Sequence, residues 1–245
     1  MRATSHLHGA PCTCTIDAPM NAQAMNVQAL VLDFDGVVAD TEPLHLRVFQ
    51  DVLAGVSVPL SAEDYYAKYL GFDDASVFET VARDAGRPMG AEAVAGLVRE
   101  KARRFGEALA RTDVLFPGAA EAIRRFAGAV PVAVASGALR SEIEAVLARA
   151  GLSGLVRTIV AAGEVPRGKP APDPFAEAVA RLGVDPARAV AVEDSVWGLE
   201  SARAAGLRTV GITTSYPAEA LTSADLVLPD LAALTLDALN RIVQA

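Results

Sequence analysis

Two aspartates one residue apart, Asp33 and Asp35, stand at the end of an apolar run and are followed by Gly36. In an extended chain such a pair projects to one side, while Phe34 between them points the other way, into a core. Carboxylates this close repel each other unless a cation lies between them. Magnesium (Mg2+) suits the pair, because it takes hard oxygen ligands and leaves positions open for a phosphate oxygen. Gly36 lets the chain turn sharply with its backbone near that phosphate, which makes it a substrate-binding candidate.

Three further stations share this setting. Ser136 and Gly137 follow the apolar run 130–135, and a hydroxyl beside an exposed amide can donate to phosphoryl oxygens. A helix N-cap by Ser136 is the structural alternative. Lys169 lies between Gly168 and Pro170, where no regular element can run, so an ordered loop must fix it. The alternative is a solvated surface lysine. The stretch from Gly163 to Lys169 has the spacing of a nucleotide-binding P-loop, but Pro170 stands where Ser or Thr is required, which removes that reading. Glu193 and Asp194 emerge from the run 189–192 and need a metal or a cation, with a helix cap by Asp194 or Ser195 as the alternative.

The elements that must hold these groups follow from periodicity. Apolar runs at 29–34, 130–135, 158–161, 189–192 and 209–212 read as five parallel strands. The stretches 118–126, 140–150, 175–182 and 198–205 read as crossover helices. The fold class is α/β, a three-layer doubly wound parallel sheet. All four stations lie at strand carboxyl ends, where open α/β sheets bind ligands, so they converge on one crevice. Residues 43–113 break the alternation: they are too long for a crossover and show helical spacing at 44–53, 62–69, 76–85 and 91–109. We read them as an inserted α-helical cap, hinged near 40–43 and 112–117, on a catalytic core of 27–42 and 114–245. Residues 1–26 show neither period and read as a disordered extension. Within it His6, His8, Cys12 and Cys14 sit too close together for a closed zinc site, and Met20 and Met25 are candidate start codons.

Composition narrows the classes. With 245 residues, 52% of them hydrophobic, the chain can bury a substantial core. Its net charge of −8 disfavours nucleic acid and anionic membrane surfaces as partners, but not a small phosphorylated substrate beside a local metal ion. The two cysteines, Cys12 and Cys14, exclude a disulfide framework for the folded part. No apolar run reaches the roughly eighteen residues of a membrane span, so the expected compartment is cytoplasmic.

Taken in order, Asp33 to Val37 with Asp40-Thr41-Glu42, then Ser136, Lys169 and Glu193-Asp194-Ser195, resemble the four motifs of the haloacid dehalogenase (HAD) superfamily. The resemblance is to the subgroup with a helical cap after the first motif, and it spans residues 27 to about 215. It implies a Rossmann-like core of strand order 5-4-1-2-3, with Asp33 and Asp194 on neighbouring strands. It also implies that Asp33 is a nucleophile forming an aspartyl-phosphate and that Asp35 protonates the leaving oxygen, then deprotonates water. Lys169 and Ser136 would hold phosphoryl oxygens. Asp33, the backbone carbonyl of Asp35 and Asp194 would hold Mg2+, with Glu193 as an outer partner or a further ligand.

The cap should choose the substrate. Tyr65, Tyr66 and Tyr69 crowd ahead of Leu70-Gly71-Phe72-Asp73-Asp74, and in the resembling subgroup that loop faces the active site. Tyr69 and Gly71 are thus candidates to contact the leaving group; packing within the cap and helix capping by Asp73 or Asp74 is the alternative. Arg99, Lys101 and Arg103 read as a solvated helix face, with contact from Lys101 to an anionic leaving group as the functional alternative. His45 positions the proton-transfer residue or packs the hinge. Trp197 and Gly198 read as helix-packing residues. The expected activity is magnesium-dependent hydrolysis of a small phosphorylated metabolite, such as a sugar phosphate, by a monomer or homodimer. β-Phosphoglucomutase-like mutases are similar through Asp35, Asp40-Thr41 and His45, but they typically carry Lys and Arg around the cap-loop glycine, where this chain has Leu70 and Asp74. Dehalogenases resembling it lack Asp35, and a non-catalytic phospho-aspartate switch carries no such cap.

Overall fold

The computed structural model describes residues 26–70 and 72–245. The readings made for residues 1–25, including the His6, His8, Cys12 and Cys14 group, and for Gly71 lie outside the described residues.

Six parallel strands form one sheet: β1 (Ala29–Leu32), β2 (Val132–Ala135), β3 (Val156–Val160), β4 (Ala189–Glu193), β5 (Arg208–Ile212) and β6 (Leu226–Leu228), in the order 3-2-1-4-5-6. The first five have the expected order. β6 was not anticipated; it is three residues long and half-buried throughout, too short to show a pattern. Helices α1 (Glu42–Ala54), α2 (Ala62–Asp64), α3 (Asp74–Asp84) and α4 (Ala91–Leu109) lie between β1 and β2 as the cap. α5 (Ala119–Ala127) leads into β2, while α6 (Arg140–Arg149), α7 (Asp173–Leu182) and α8 (Val196–Ala204) follow β2, β3 and β4. α9 (Leu236–Gln244) closes the chain. None of the described helices is long and apolar enough to cross a membrane.

The central strands β1, β2 and β4 are buried on both faces, so their sequences run apolar almost without a break, but the faces differ in size. Leu30, Leu32, Val132, Val134, Val190 and Val192 fill the larger core on one side. Ala29, Ala133, Ala135, Ala189 and Ala191 turn to the other, where small side chains let Phe175 and Val179 of α7 approach closely. Each fully buried Leu, Val or Phe contributes roughly 1.5–3 kcal/mol.

The expected helix at 62–69 is instead α2 followed by a π-turn, Tyr65–Tyr69, closed by the Leu70 amide on Tyr65 O at 3.0 Å. The wider turn buries Tyr65 and Tyr69 and leaves Tyr66 outward. At the hinges the two linkers run side by side: Asp40 N donates to Val114 O at 2.7 Å and Phe116 N to Val38 O at 3.1 Å.

Candidate active site

Between β1 and β4 the winding of the sheet reverses, and there an open α/β sheet leaves a crevice beyond its strand ends. Asp33 is the first residue past β1, its amide still bonded to Val192 O at 2.9 Å; Glu193 ends β4 and Asp194 follows. Oxygens of these three buried carboxylates all lie within 4.8 Å of one another. Lys169 reaches in from the loop before α7, its Nζ 2.7 Å from Asp33 Oδ1 and 2.5 Å from Glu193 Oε1. One ammonium against three carboxylates leaves an excess of negative charge in a hard-oxygen pocket, a donor set that fits a divalent cation such as Mg2+.

Each acid has a distinct setting. Glu193 is held by protein on both oxygens: Oε1 takes Lys169, and Oε2 accepts from Ser195 N at 3.2 Å and Ser195 Oγ at 2.9 Å. Gly198 packs flat against it, since a Cβ there would stand 1.8 Å from Glu193 Cδ. Ser195 Oγ also accepts the Gly198 amide at 3.0 Å, so the helix-cap alternative for this motif holds at Ser195. Gly36 has φ 79°, and a Cβ on it would fall 1.9 Å from Asp194 Oδ2; only glycine lets the turn lie against that carboxylate. Asp35 Oδ1 accepts Thr41 Oγ1 at 2.5 Å.

Burial sets the electrostatics. It pushes Asp33 well above the usual carboxylate range, an effect that Lys169 opposes and Glu193 and Asp194 reinforce. It raises Asp35 to about 6 against the Thr41 hydrogen bond, and Asp194 to about 6 against one from Ser215. Burial alone would lower Lys169, but the charges of Asp33 and Glu193 outweigh it and hold the ammonium above its ordinary value.

Ser136 follows β2, and the register that sets Leu32 beside Val134 carries it to the same end of the sheet as Asp33. Its amide is committed to Val160 O at 2.9 Å, so only the hydroxyl hydrogen is left to donate, while Oγ accepts from Ala138 N at 3.0 Å. It does not cap α6, whose N-cap is Leu139. Ser136, Gly137 and Lys169 line one cavity of about 360 Å3. A second, of about 470 Å3, opens in front of Asp35 and Asp194 toward the cap residues Tyr66 and Leu70.

The structure does not bring the cap residues to this cavity as expected. The Tyr69 hydroxyl donates to Asp84 Oδ2 at 2.9 Å inside the cap, and Tyr66 lines the cavity instead. Lys101 is not on a solvated face: it is 3% exposed, with Nζ 2.8 Å from Asp74 Oδ1 and 2.8 Å from His45 Nδ1, over the rings of Phe49 and Phe105. His45 stacks on Phe105 at 4.0 Å, and burial together with the Lys101 charge lowers it to about 3. Asp73 caps α3 by accepting from Ser76 N at 3.0 Å. Trp197 packs nothing tightly, being 59% exposed, whereas Gly198 has the expected packing role.

Two site residues escaped sequence reasoning. Thr214 Oγ1 donates to Gly36 O at 2.5 Å, and Ser215 hydrogen-bonds Asp194; both follow β5 and line the larger cavity. The signal was present, a polar Thr213-Thr214-Ser215 run directly after a buried strand, as at the other stations.

A parallel sheet of this order, an inserted helical cap and acids gathered at the switch point define a hydrolase of the HAD type. The sequence profile of the haloacid dehalogenase-like hydrolases matches residues 27–206, and the chain belongs to that family. It is 34% identical to Protein CbbY of Rhodobacter capsulatus over 226 residues, covering 89% of this chain and 100% of that one. It is 30% identical to the fructose-1-phosphate phosphatase YqaB of Escherichia coli, covering 75% and 95%. A structure of CbbY from Rhodobacter sphaeroides in complex with xylulose-(1,5)bisphosphate superposes with a TM-score of 0.72 at 30% identity, over 85% of this chain and 96% of that one.

Proposed function

We propose that this chain is a magnesium-dependent phosphomonoester hydrolase that passes the phosphoryl group through Asp33. The observation that carries the reading is the buried Asp33–Lys169–Glu193–Asp194 constellation at the sheet's switch point. A bound Mg2+, held by Asp33, Asp194 and the backbone carbonyl of Asp35, would supply charge neutralisation between the acids and the phosphate.

The remaining steps belong to the chain. Lys169 opposes the burial that would protonate Asp33, and so favours the carboxylate needed for attack on phosphorus. As the Asp33 oxygen bonds to phosphorus and the ester oxygen leaves, Asp35 gives that oxygen its proton. A carboxyl near 6 is protonated in roughly one molecule in ten at pH 7, which suits a group that must next act as base. Thr41 holds it in place for both steps. Asp35, now ionised, takes a proton from water, whose oxygen attacks phosphorus and frees Asp33 and inorganic phosphate. The Ser136 hydroxyl and the Lys169 ammonium are the donors for phosphoryl oxygens.

A sugar phosphate is the proposed substrate class, supported by relatives named for fructose 1-phosphate or solved with xylulose bisphosphate. The proposal includes a cytoplasmic monomer or homodimer. Phosphate release from a panel of sugar phosphates, with and without Mg2+, tests it. Release is expected with Mg2+ and lost on chelation and in Asp33→Asn; near-normal activity in that variant would remove the covalent mechanism.

A further inference from the structure

The cavity of about 470 Å3 that faces Asp35 is where a leaving group must lie, and its walls carry one sign of charge. Asp40 and Glu42 line it in addition to Asp35 and Asp194, and among the described residues no Lys or Arg does. The nearby cations are spent elsewhere. Lys169 is committed to Asp33 and Glu193, Lys101 is buried on Asp74, and Lys68 pairs with Asp64 in solvent. Tyr65 donates its hydroxyl to Glu42, a neutral contact that leaves that charge in place. The remaining lining is uncharged, with Tyr66, Phe116 and Leu70 as its large side chains and Thr41, Thr214 and Ser215 as its hydroxyls.

We propose that this mouth, lined by no Lys or Arg among the described residues, is a charge filter on the leaving group. It admits monophosphates of uncharged or amine-bearing polyols and turns away substrates with a second phosphate or a carboxylate. The inference rests on the phosphatase reading and narrows it. Two like charges about 8 Å apart at an effective dielectric near 20 cost roughly ten- to thirtyfold in affinity, and hydroxyls and ammonium groups gain acceptors from the same acids. The filter separates this chain from the relative solved with a bisphosphate. Asp40 is the exposed acid of this lining, and Leu70, 50% exposed in the same lining, is a position where a cation would offset its charge.

Matched ligands test the filter: glucosamine 6-phosphate, glucose 6-phosphate and 6-phosphogluconate, and fructose 1-phosphate against fructose 1,6-bisphosphate. Dissociation constants are measured by calorimetry with Mg2+ on Asp33→Asn, and kcat/KM on the active enzyme. The anionic members are expected at least tenfold worse than their neutral counterparts, and the amine at least equal to them. Asp40→Asn and Leu70→Lys should each narrow the anionic penalty severalfold, because the anionic ligands gain; a misfolded variant cannot produce a gain. Binding without this charge order, no binding of any member, or an unchanged ratio in both variants overturns the filter. Charge-ordered binding without phosphate release from any compound would instead sink the phosphatase reading and leave the filter standing.

Discussion

The floor and the roof of the crevice are built by different means. On the floor every reactive group sits close to a strand end or on a loop tied to one, and its partners are supplied by a neighbouring strand or by the turn that follows its own: Asp33 with Val192, Ser136 with Val160, Glu193 with Ser195. In the roof, charged and aromatic side chains satisfy one another within the cap: Lys101 with Asp74 and His45, Tyr69 with Asp84, Tyr65 with Glu42 at the hinge. Backbone position thus fixes the chemistry, while side-chain pairing decides what is left to meet a substrate. Substitutions on the floor should cost turnover, with or without stability, and those in the roof should cost stability or selectivity with little loss of turnover.

The largest expected effect is at Lys169. Its replacement by Ala leaves Asp33 and Glu193 buried and uncompensated, so kcat should fall about 10²–10³-fold and stability by about 3–5 kcal/mol. Steady-state kinetics and denaturant unfolding read both. Gly36→Ala comes next: a Cβ 1.9 Å from Asp194 Oδ2, at φ 79°, must displace that carboxylate. About a hundredfold loss of kcat/KM is expected, with a weaker apparent Mg2+ affinity by titration.

In the roof the balance should reverse. Asp74→Asn removes the carboxylate from a 3% exposed ammonium, which should cost about 1–3 kcal/mol in thermal unfolding while kcat falls less than tenfold. A comparable loss of turnover to that of Gly36→Ala would break the distinction. The smallest effect concerns His45, which titrates near 3 in the fold and near 6.5 when unfolded. Between those values the unfolded chain binds the extra proton, so stability falls as pH drops, by at most about 1.4 kcal/mol per pH unit from this residue. His45→Gln should flatten the stability curve from pH 6 to 4; an unchanged slope would place His45 outside the buried pair.

The same division explains what could be read in the sequence. The five core strands and the four stations were legible because a buried parallel strand reads as a short apolar run, and acids, a hydroxyl and a lysine recurring after such runs point to one crevice together, although each has a structural alternative by itself. β6 was not, since three half-buried residues carry no period. The three clustered tyrosines did not declare their directions, because a π-turn shifts the face that an α-helical period assigns. Lys101 read as a surface residue from its charged neighbours, and only the fold brings Asp74, 27 residues away, and His45, 56 away, to bury it. Roof residues depend on such distant pairings, which local spacing does not encode.

The central claim is that Asp33 takes the phosphoryl group. Rapid quenching of the Mg2+-loaded enzyme with a hydrolysable sugar phosphate, followed by peptide mass spectrometry, tests it most directly. The account predicts a transient, hydroxylamine-labile phosphoryl group on the peptide containing Asp33, formed no more slowly than turnover. Full-rate turnover with that peptide unmodified, or with the phosphoryl group on another residue, would contradict it.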